Sequence, residues 1–224
     1  MFGESLMKIR LILRINLLLK MKLFWTVLVG FLIYSCNTST DKTSISIKED
    51  LEIKKPTTEF QFSDFTIMKG QLGPIKVGMT IEETENQFNG LIKKEDEAVN
   101  FGFGGGSPAY LYYLRDDILF GLIPRLGTDT VLFIIAAHRE LQTTNSLNPN
   151  STVKELIEQY PGMKVSRDLM NDWEYFRDTI NDWQFIFMTD AKTKIGEYPE
   201  PSFDNEIPSK PIRLTTKTDW ITIQ

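Results

Sequence analysis

Cysteine is nearly absent from this chain, since its 224 residues contain a single one, Cys36. One thiol excludes an internal disulfide and a cysteine-rich metal site. Histidine is equally rare: His138 is the sole one, and a single histidine cannot build the usual multi-histidine zinc site. The folded part of the chain must therefore be stabilised by its hydrophobic core, for which about 165 residues are enough.

Basic residues are fewer than acidic ones. The chain has 25 Lys and Arg against 30 Asp and Glu, and residues 1–35 hold five of the basic residues and one of the acidic ones. Without that segment, 20 basic and 29 acidic residues remain, a net charge of −9. No basic cluster is interleaved with aromatic residues, so the composition argues against a nucleic-acid partner.

The N-terminal segment has the layout of an export signal. Lys20 and Lys22 precede a twelve-residue apolar-dominated run, Leu23 to Tyr34. That run suits the apolar core of a secretory signal and is shorter than the roughly 20 residues of a membrane-spanning helix. Residues 1–35 are therefore predicted to be a signal peptide. The start of translation stays open between Met1, Met7 and Met21.

The junction that follows resembles the lipobox of bacterial lipoproteins. Ile33, Tyr34, Ser35 and Cys36 give the pattern aliphatic, variable, small, cysteine, although Tyr34 is bulkier than usual. The resemblance implies that the Cys36 thiol carries a diacylglycerol, that residues 1–35 are removed, and that the new amino terminus is often acylated too, for example with palmitate. Two or more acyl chains anchor a protein stably in a membrane. The alternatives are an ordinary signal peptide with a chance cysteine and a buried free thiol.

Residues 36–59 are rich in Ser, Thr, Lys and Glu and nearly free of aromatic residues. Such a composition is typical of a flexible polar tether. We therefore expect a folded domain outside the cytoplasm, lipid-anchored in the cell envelope. The residue after Cys36 is Asn37 rather than the Asp associated with inner-membrane retention in some bacteria, which favours the outer membrane.

The folded part contains an internal repeat at an offset of 72 residues. Gly78–Gly90 aligns without gaps on Asn150–Gly162. The identical pairs are Thr80 with Thr152, Glu83 with Glu155, Gln87 with Gln159, and Gly90 with Gly162. The Thr-x-x-Glu spacing predicts a capping box at the start of a short helix in each copy, and the glycines suit the left-handed position after a helix end.

Strand-like segments follow each predicted helix. They are Tyr113–Asp116, 118–123 and 130–137 in the first copy, and Tyr175–Asp178, 183–188 and 212–223 in the second. The sequence thus predicts the α+β class: a duplicated α-β-β-β unit that forms an antiparallel sheet with helices on one face. The predicted boundaries are 60–145 for repeat one, which includes a leading strand at Phe60–Lys69, and 146–224 for repeat two.

Pro74-Ile-Lys-Val-Gly-Met-Thr80, followed by a short helix, resembles the "GMT" motif of the small outer-membrane assembly lipoproteins of the SmpA/OmlA type. The tandem arrangement is similar to the fold of the secreted β-lactamase-inhibitor protein. Repeat two departs from the motif, because Asn150 and Ser151 stand where repeat one has Gly and Met. The resemblance implies a non-enzymatic envelope protein, without a cofactor, that binds other proteins on a concave sheet.

Strand alternation selects a candidate binding face. It places Trp173, Tyr175 and Arg177 on one side of their strand, and Tyr113 and Arg115 on the equivalent side in repeat one. Trp, Tyr and Arg are the residue types enriched at binding hot spots. We therefore expect these five residues to line the sheet face that the helices leave uncovered. The alternative is that the aromatic residues are core residues, or that the proline-rich loop Gly196–Pro211 covers them.

Catalytic and metal-binding signals are weak. The glycine-rich run Phe101–Pro108 lacks the following helix and the Lys-Ser/Thr of a phosphate loop, so it is predicted to join two strands. His138 is predicted to be a strand-end residue, and the acidic residues suit turns. We expect no catalytic residue and no metal site. The expected function is a lipid-anchored envelope module that binds a protein partner, in envelope assembly or in an inhibitor or immunity role.

Two other functions stay open. One is a lipid-anchored hydrolase of glycan or peptidoglycan that uses paired carboxylates, which would lie about 5–10 Å apart in a cleft. The other is a periplasmic binder of a small ligand, which would need an enclosed pocket between the sheet and the helices.

Overall fold

The computed structural model describes residues 59–198 and 208–224. The predicted signal peptide, the predicted lipidation site Cys36 and all of the predicted tether except Glu59 lie outside these residues. The described residues all belong to one unit, Glu52–Gln224. Within them, no helix has the length and apolar character needed to cross a membrane.

Two antiparallel sheets hold most of the regular secondary structure in the described residues. The smaller has three strands, β1 (Ile67–Met68), β2 (Gln71–Leu72) and β3 (Ile75–Lys76). The larger has eight strands, namely β4 (Ile92–Glu97), β5 (Pro108–Leu114), β6 (Asp117–Pro124), β7 (Val131–Ala136), β8 (Ser166–Asp168), β9 (Trp173–Asp178), β10 (Trp183–Phe187) and β11 (Trp220–Ile223). Their order across the sheet is β4-β5-β6-β7-β11-β10-β9-β8, so the pairing of β7 with β11 joins two groups of four strands.

Two short α-helices, α1 (Ile81–Glu85) and α2 (Val153–Gln159), precede these two groups of strands. Thr80 accepts a hydrogen bond from the Glu83 backbone N–H at 3.1 Å, and the Glu83 carboxylate accepts one from the Thr80 N–H at 2.8 Å. Thr152 and Glu155 repeat this exchange at 3.3 and 2.6 Å. Both predicted capping boxes are therefore confirmed.

The predicted α+β class with a duplicated α-β-β-β unit and helices on one face is wrong. The described chain is mostly β, and its helices have only five and seven residues. Each group in the large sheet has four strands instead of three. The sequence did not reveal β4, since its residues are almost all charged and exposed, which leaves no alternating apolar pattern.

The predicted leading strand at Phe60–Lys69 is also wrong. A 3₁₀ turn at Phe62–Asp64 interrupts this segment, and only Ile67–Met68 pairs as a strand, in the small sheet. The last predicted strand, 212–223, is in fact four residues long and begins at Trp220.

Buried side chains form one cluster on each face of the large sheet. The larger cluster packs the sheet against α1, α2 and the small sheet, and includes Ile67, Leu72, Ile81, Phe120, Val153, Leu156, Phe176 and Phe185. We call the opposite side the far face. Its cluster contains Leu111, Ile123, Ile135, Ile186 and Trp220, with Phe101, Phe103, Tyr113, Phe133, Trp173 and Tyr175 partly buried against it.

Candidate functional site

The side chains of β9 alternate as predicted. Trp173 and Tyr175 pack on the far face, while Phe176 joins the core on the helix side and Glu174 is fully buried. Arg177 is exposed. Trp173, Tyr175 and Arg177 line the same groove, which has a volume of about 350 Å³. The structure therefore brings together the three predicted binding residues of repeat two.

The groove has a sheet floor and two walls. Besides the three predicted residues, it is lined by Phe101, Gly102, Phe103, Arg167, Asp168, Leu169, Met170, Glu174, Gln184, Ile186 and Thr222. Residues 101–103 of the β4–β5 connection form one wall, and the turn between β8 and β9 forms the other. The Met170 side chain at the tip of this turn is 94% exposed.

The glycine-rich run joins β4 to β5 as predicted, and it also lies against the far face. The Phe101 ring packs edge-on against Trp220 with centroids 5.7 Å apart, and the Phe103 ring lies 4.5 Å from that of Phe133. Between them, Gly102 has φ +83°, and a Cβ there would lie 3.3 Å from the Trp173 ring. Glycine therefore allows the backbone to turn directly over the indole.

The other loop considered as a cover, Gly196–Pro211, begins behind the sheet. The Glu174 carboxylate accepts hydrogen bonds from the backbone N–H groups of Ile195 and Gly196, both at 2.7 Å. Glu174 points away from Trp173 and Tyr175, because neighbouring residues of a strand face opposite sides. The described start of this loop is thus fixed on the helix side, and residues 199–207 lie outside the described part.

The two predicted residues of repeat one do not line the groove. Tyr113 lies on the far face, but the Lys94 ammonium covers its ring at 4.1 Å from the centroid. Arg115 is not on a strand at all: it lies in the turn between β5 and β6, with φ +58°. The prediction that Arg115 shares a face with Tyr113 is wrong, since the strand ends at Leu114.

Asp172 sits between two cations beside the groove. The Lys194 ammonium lies 2.9 Å from its carboxylate, and Arg167 donates two hydrogen bonds to the same oxygen, at 2.9 and 2.6 Å. These contacts, that of Lys194 above all, lower the pKa of Asp172 below its ordinary value. The arrangement fixes the wall formed by the β8–β9 turn.

Arg177 has a different environment. With the Gln184 amide oriented to satisfy its neighbours, its oxygen accepts hydrogen bonds from the Arg177 guanidinium and, at 2.9 Å, from the Gln224 amide nitrogen. Among the ion pairs found in residues 59–198 and 208–224, none involves Arg177. Its guanidinium thus faces a neutral acceptor at the groove.

A hexapeptide that occurs twice, ten positions apart, shapes this region and was missed in the sequence analysis. Asp168-Leu-Met-Asn-Asp-Trp173 and Asp178-Thr-Ile-Asn-Asp-Trp183 share the pattern D-x-x-N-D-W. In each, the first Asp accepts backbone hydrogen bonds within the turn, and the last Asp has a positive φ. The tips, Met170 and Ile180, are 94% and 80% exposed. The repeated hexapeptide itself was the available signal.

The other sequence candidates serve local structure. The His138 ring stacks on Phe62 with centroids 4.8 Å apart, and its Nδ1 accepts a hydrogen bond from the Glu140 N–H. Asp168 accepts hydrogen bonds from the Met170 N–H and the Asn171 amide, both at 2.8 Å. In the described part of the chain, no three His, Cys, Asp or Glu side chains are grouped as a metal site would require.

The fold and the groove define a mostly β protein with one eight-stranded antiparallel sheet and an aromatic groove on the face opposite its helices. No protein-family model, curated protein or solved structure matches the chain. Its resemblance to the SmpA/OmlA lipoproteins and to the β-lactamase-inhibitor fold stays a prediction.

Proposed function

We propose that this chain is a lipid-anchored protein of the bacterial cell envelope that binds a protein partner through the groove on its far face. The observation that carries the proposal is the make-up of the groove: Trp173, Tyr175 and Arg177 side by side, with Met170 exposed at the rim. Tyr, Trp, Arg and Met are enriched in protein interfaces, and Trp, Tyr and Arg dominate their hot spots.

The acidic residues of the groove lining favour binding over hydrolysis. Asp168 holds the β8–β9 turn, and Glu174 is buried and holds the amides of Ile195 and Gly196. A glycosidase needs one carboxyl group as an acid and another as a base or nucleophile, both facing the substrate. Groups that already accept two or more local hydrogen bonds are poorly placed for either role.

The anchor is proposed from Cys36 and the segment before it. A Cys36→Ser variant should lose incorporation of labelled palmitate and leave the membrane fraction. Labelling that persists in the variant would place the lipid elsewhere and contradict the lipobox assignment.

The binding role is tested with a matched pair of turn variants. Met170→Asp places a charge on the groove rim, whereas Ile180→Asp places the same charge at the equivalent position of the β9–β10 turn, at the other end of β9. Both side chains are at least 80% exposed, so neither change should affect folding. The anchored protein and both variants serve as bait for solubilised native envelopes.

We expect one envelope protein to be recovered with the wild type and with Ile180→Asp, but lost with Met170→Asp. Equal recovery with both variants would place the contact outside the groove and contradict the proposal. Loss with both variants would show a non-specific effect of charge at a turn and would equally contradict it.

A further inference from the structure

We propose that the groove binds an extended peptide segment of the partner. A carboxylate of this segment pairs with Arg177, and its apolar side chains pack against Tyr175 and Trp173. This inference rests on the proposed function and gives the chemistry of the partner segment. It follows from the charge of the groove, the spacing of its residues and the shape of its walls.

The charge argument concerns Arg177. Arg167 is already paired with Asp172, and Asp168 is engaged in local hydrogen bonds. The Glu174 carboxylate faces the helix side of the sheet, where it accepts two backbone hydrogen bonds. Arg177 instead contacts the neutral amide of Gln184. A carboxylate would give it a charge-assisted, bidentate partner, and such hydrogen bonds are about twice as strong as neutral ones. The groove therefore favours one negative group at this position.

The spacing argument uses the geometry of β9. Trp173, Tyr175 and Arg177 project from the same side of the strand, at intervals of two residues. At about 3.3 Å per residue, the first and the last are separated by about 13 Å. An extended peptide alongside them also presents every second side chain to the groove. The matching pattern is apolar-x-apolar-x-acid, or its reverse if the segment runs the other way.

The walls favour a peptide over a small ligand. The groove lies on the outside of the sheet, between residues 101–103 and the β8–β9 turn, and Met170 and Leu169 on its rim are 94% and 38% exposed. A small ligand usually needs a site that encloses most of its surface. Exposed apolar rim residues beside an open groove instead gain contacts from a longer chain. Methionine is well suited to this because it adapts to different partners.

The net charge limits how acidic the segment can be. The chain carries −5 overall, and −9 without residues 1–35. A strongly acidic partner would be repelled at long range, since the summed field of a protein governs encounter. The fitting segment therefore carries a single carboxylate near apolar residues.

The test is selection from phage-displayed random heptapeptides on the full anchored protein in detergent micelles. In one library the peptides have free C-termini, and in the other both ends of each peptide are fused to the phage coat protein. The comparison distinguishes binding of a C-terminal carboxylate from binding of an Asp or Glu side chain. We expect enrichment of the pattern apolar-x-apolar-x-acid in either direction. Replacing the acid of a selected, labelled peptide by its amide should weaken binding to the wild type about tenfold, the effect of one charge-assisted hydrogen bond.

The variant Arg177→Gln should remove this difference, so that the acidic and amide peptides bind it within about twofold. Arg115→Gln is the matched control, because Arg115 is an exposed arginine in the turn between β5 and β6. It should keep the tenfold difference. A difference that persists in Arg177→Gln, or that disappears in Arg115→Gln as well, would overturn the assignment.

Failure of this inference can be told apart from failure of the proposed function. If a partner is captured in a Met170-dependent way but the selected peptides show no preference for an acid, the binding module stands and the carboxylate assignment falls. If the libraries yield no enriched peptide while soluble peptidoglycan fragments bind in an Arg177-dependent way, the peptide assignment is overturned in favour of a glycan-linked carboxylate.

Discussion

The Glu174→Gln substitution should destabilise the domain although it changes one atom of a side chain. Glu174 is fully buried, and its two carboxylate oxygens accept hydrogen bonds from the N–H groups of Ile195 and Gly196 at 2.7 Å. A glutamine keeps the size but offers one oxygen and one NH₂ group. Whichever way the amide turns, one backbone N–H faces another donor.

The cost can be worked from these contacts. Hydrogen bonds to a charged group contribute about 1.5–3 kcal/mol each, and a buried donor left without a partner costs about 1–3 kcal/mol. Losing one bond and weakening the other therefore predicts a loss of about 3 kcal/mol in the free energy of unfolding. For a domain of this size, that corresponds to a fall of about 6–12 °C in the melting temperature.

The assay is urea unfolding at pH 7, followed by tryptophan fluorescence, with Glu197→Gln as the control. Glu197 belongs to the same segment, and its residue is exposed, so its replacement should change the stability by no more than about 0.5 kcal/mol. A Glu174→Gln variant as stable as Glu197→Gln would refute the reasoning, because the two amides would then not depend on the carboxylate.

Two further predictions concern a glycine and an ion pair. Gly73→Ala should lower the free energy of unfolding by roughly 3 kcal/mol, because residue 73 has φ +54° and the new Cβ would lie 2.1 Å from the Asp64 carbonyl oxygen. Gly78 also has a positive φ, but a Cβ there would have no atom within 4 Å, so Gly78→Ala should lower it by only about 1 kcal/mol. Equal melting temperatures for the two variants would contradict this. Asp172→Asn should be less stable than the wild type at pH 7, but the difference should shrink as the pH falls below about 4, because the lowered pKa of Asp172 stabilises the fold only while the group is ionised. Urea unfolding at pH 7 and pH 3 measures this difference in stability. A difference that is the same at both pH values would show that the contacts of Asp172 with Lys194 and Arg167 contribute no pH-dependent stability.

Local chemistry explains what could be predicted from the sequence. The capping boxes at Thr80 and Thr152 involve residues only three positions apart, so the Thr-x-x-Glu spacing carries the whole signal. The alternation of Trp173 and Tyr175 against Phe176 similarly depends only on the two-residue period of a strand.

The errors arose where long-range contacts decide the structure. β4 has a charged sequence and exists because it pairs with β5 along its whole length. Arg115 was assigned to a strand, but a register shift between Tyr112 and Tyr113 and a tight turn end the strand before it. Arginine rarely adopts a positive φ, so the sequence around Arg115 did not indicate that this residue would do so.

The position of the glycine-rich loop also depends on distant residues. Phe101 and Phe103 flank the first glycine of the loop, and their partners Trp220 and Phe133 are more than 25 positions away in sequence. The two phenylalanines could have indicated that the loop packs against something. They could not have indicated that it packs on the far face beside Trp173.

This packing separates two roles within the groove. Trp173 is held edge-on against Trp220, with centroids 5.3 Å apart, and by Gly102 above it, so replacing it would change stability as well as binding. Because Trp173 is already held in place, it loses little conformational entropy when a partner binds, which favours affinity. Arg177 and Met170 are exposed, so both side chains would gain contacts from the partner proposed above. Substitutions at these two positions therefore report on recognition, whereas a Trp173→Ala variant would mix recognition with the integrity of the far face.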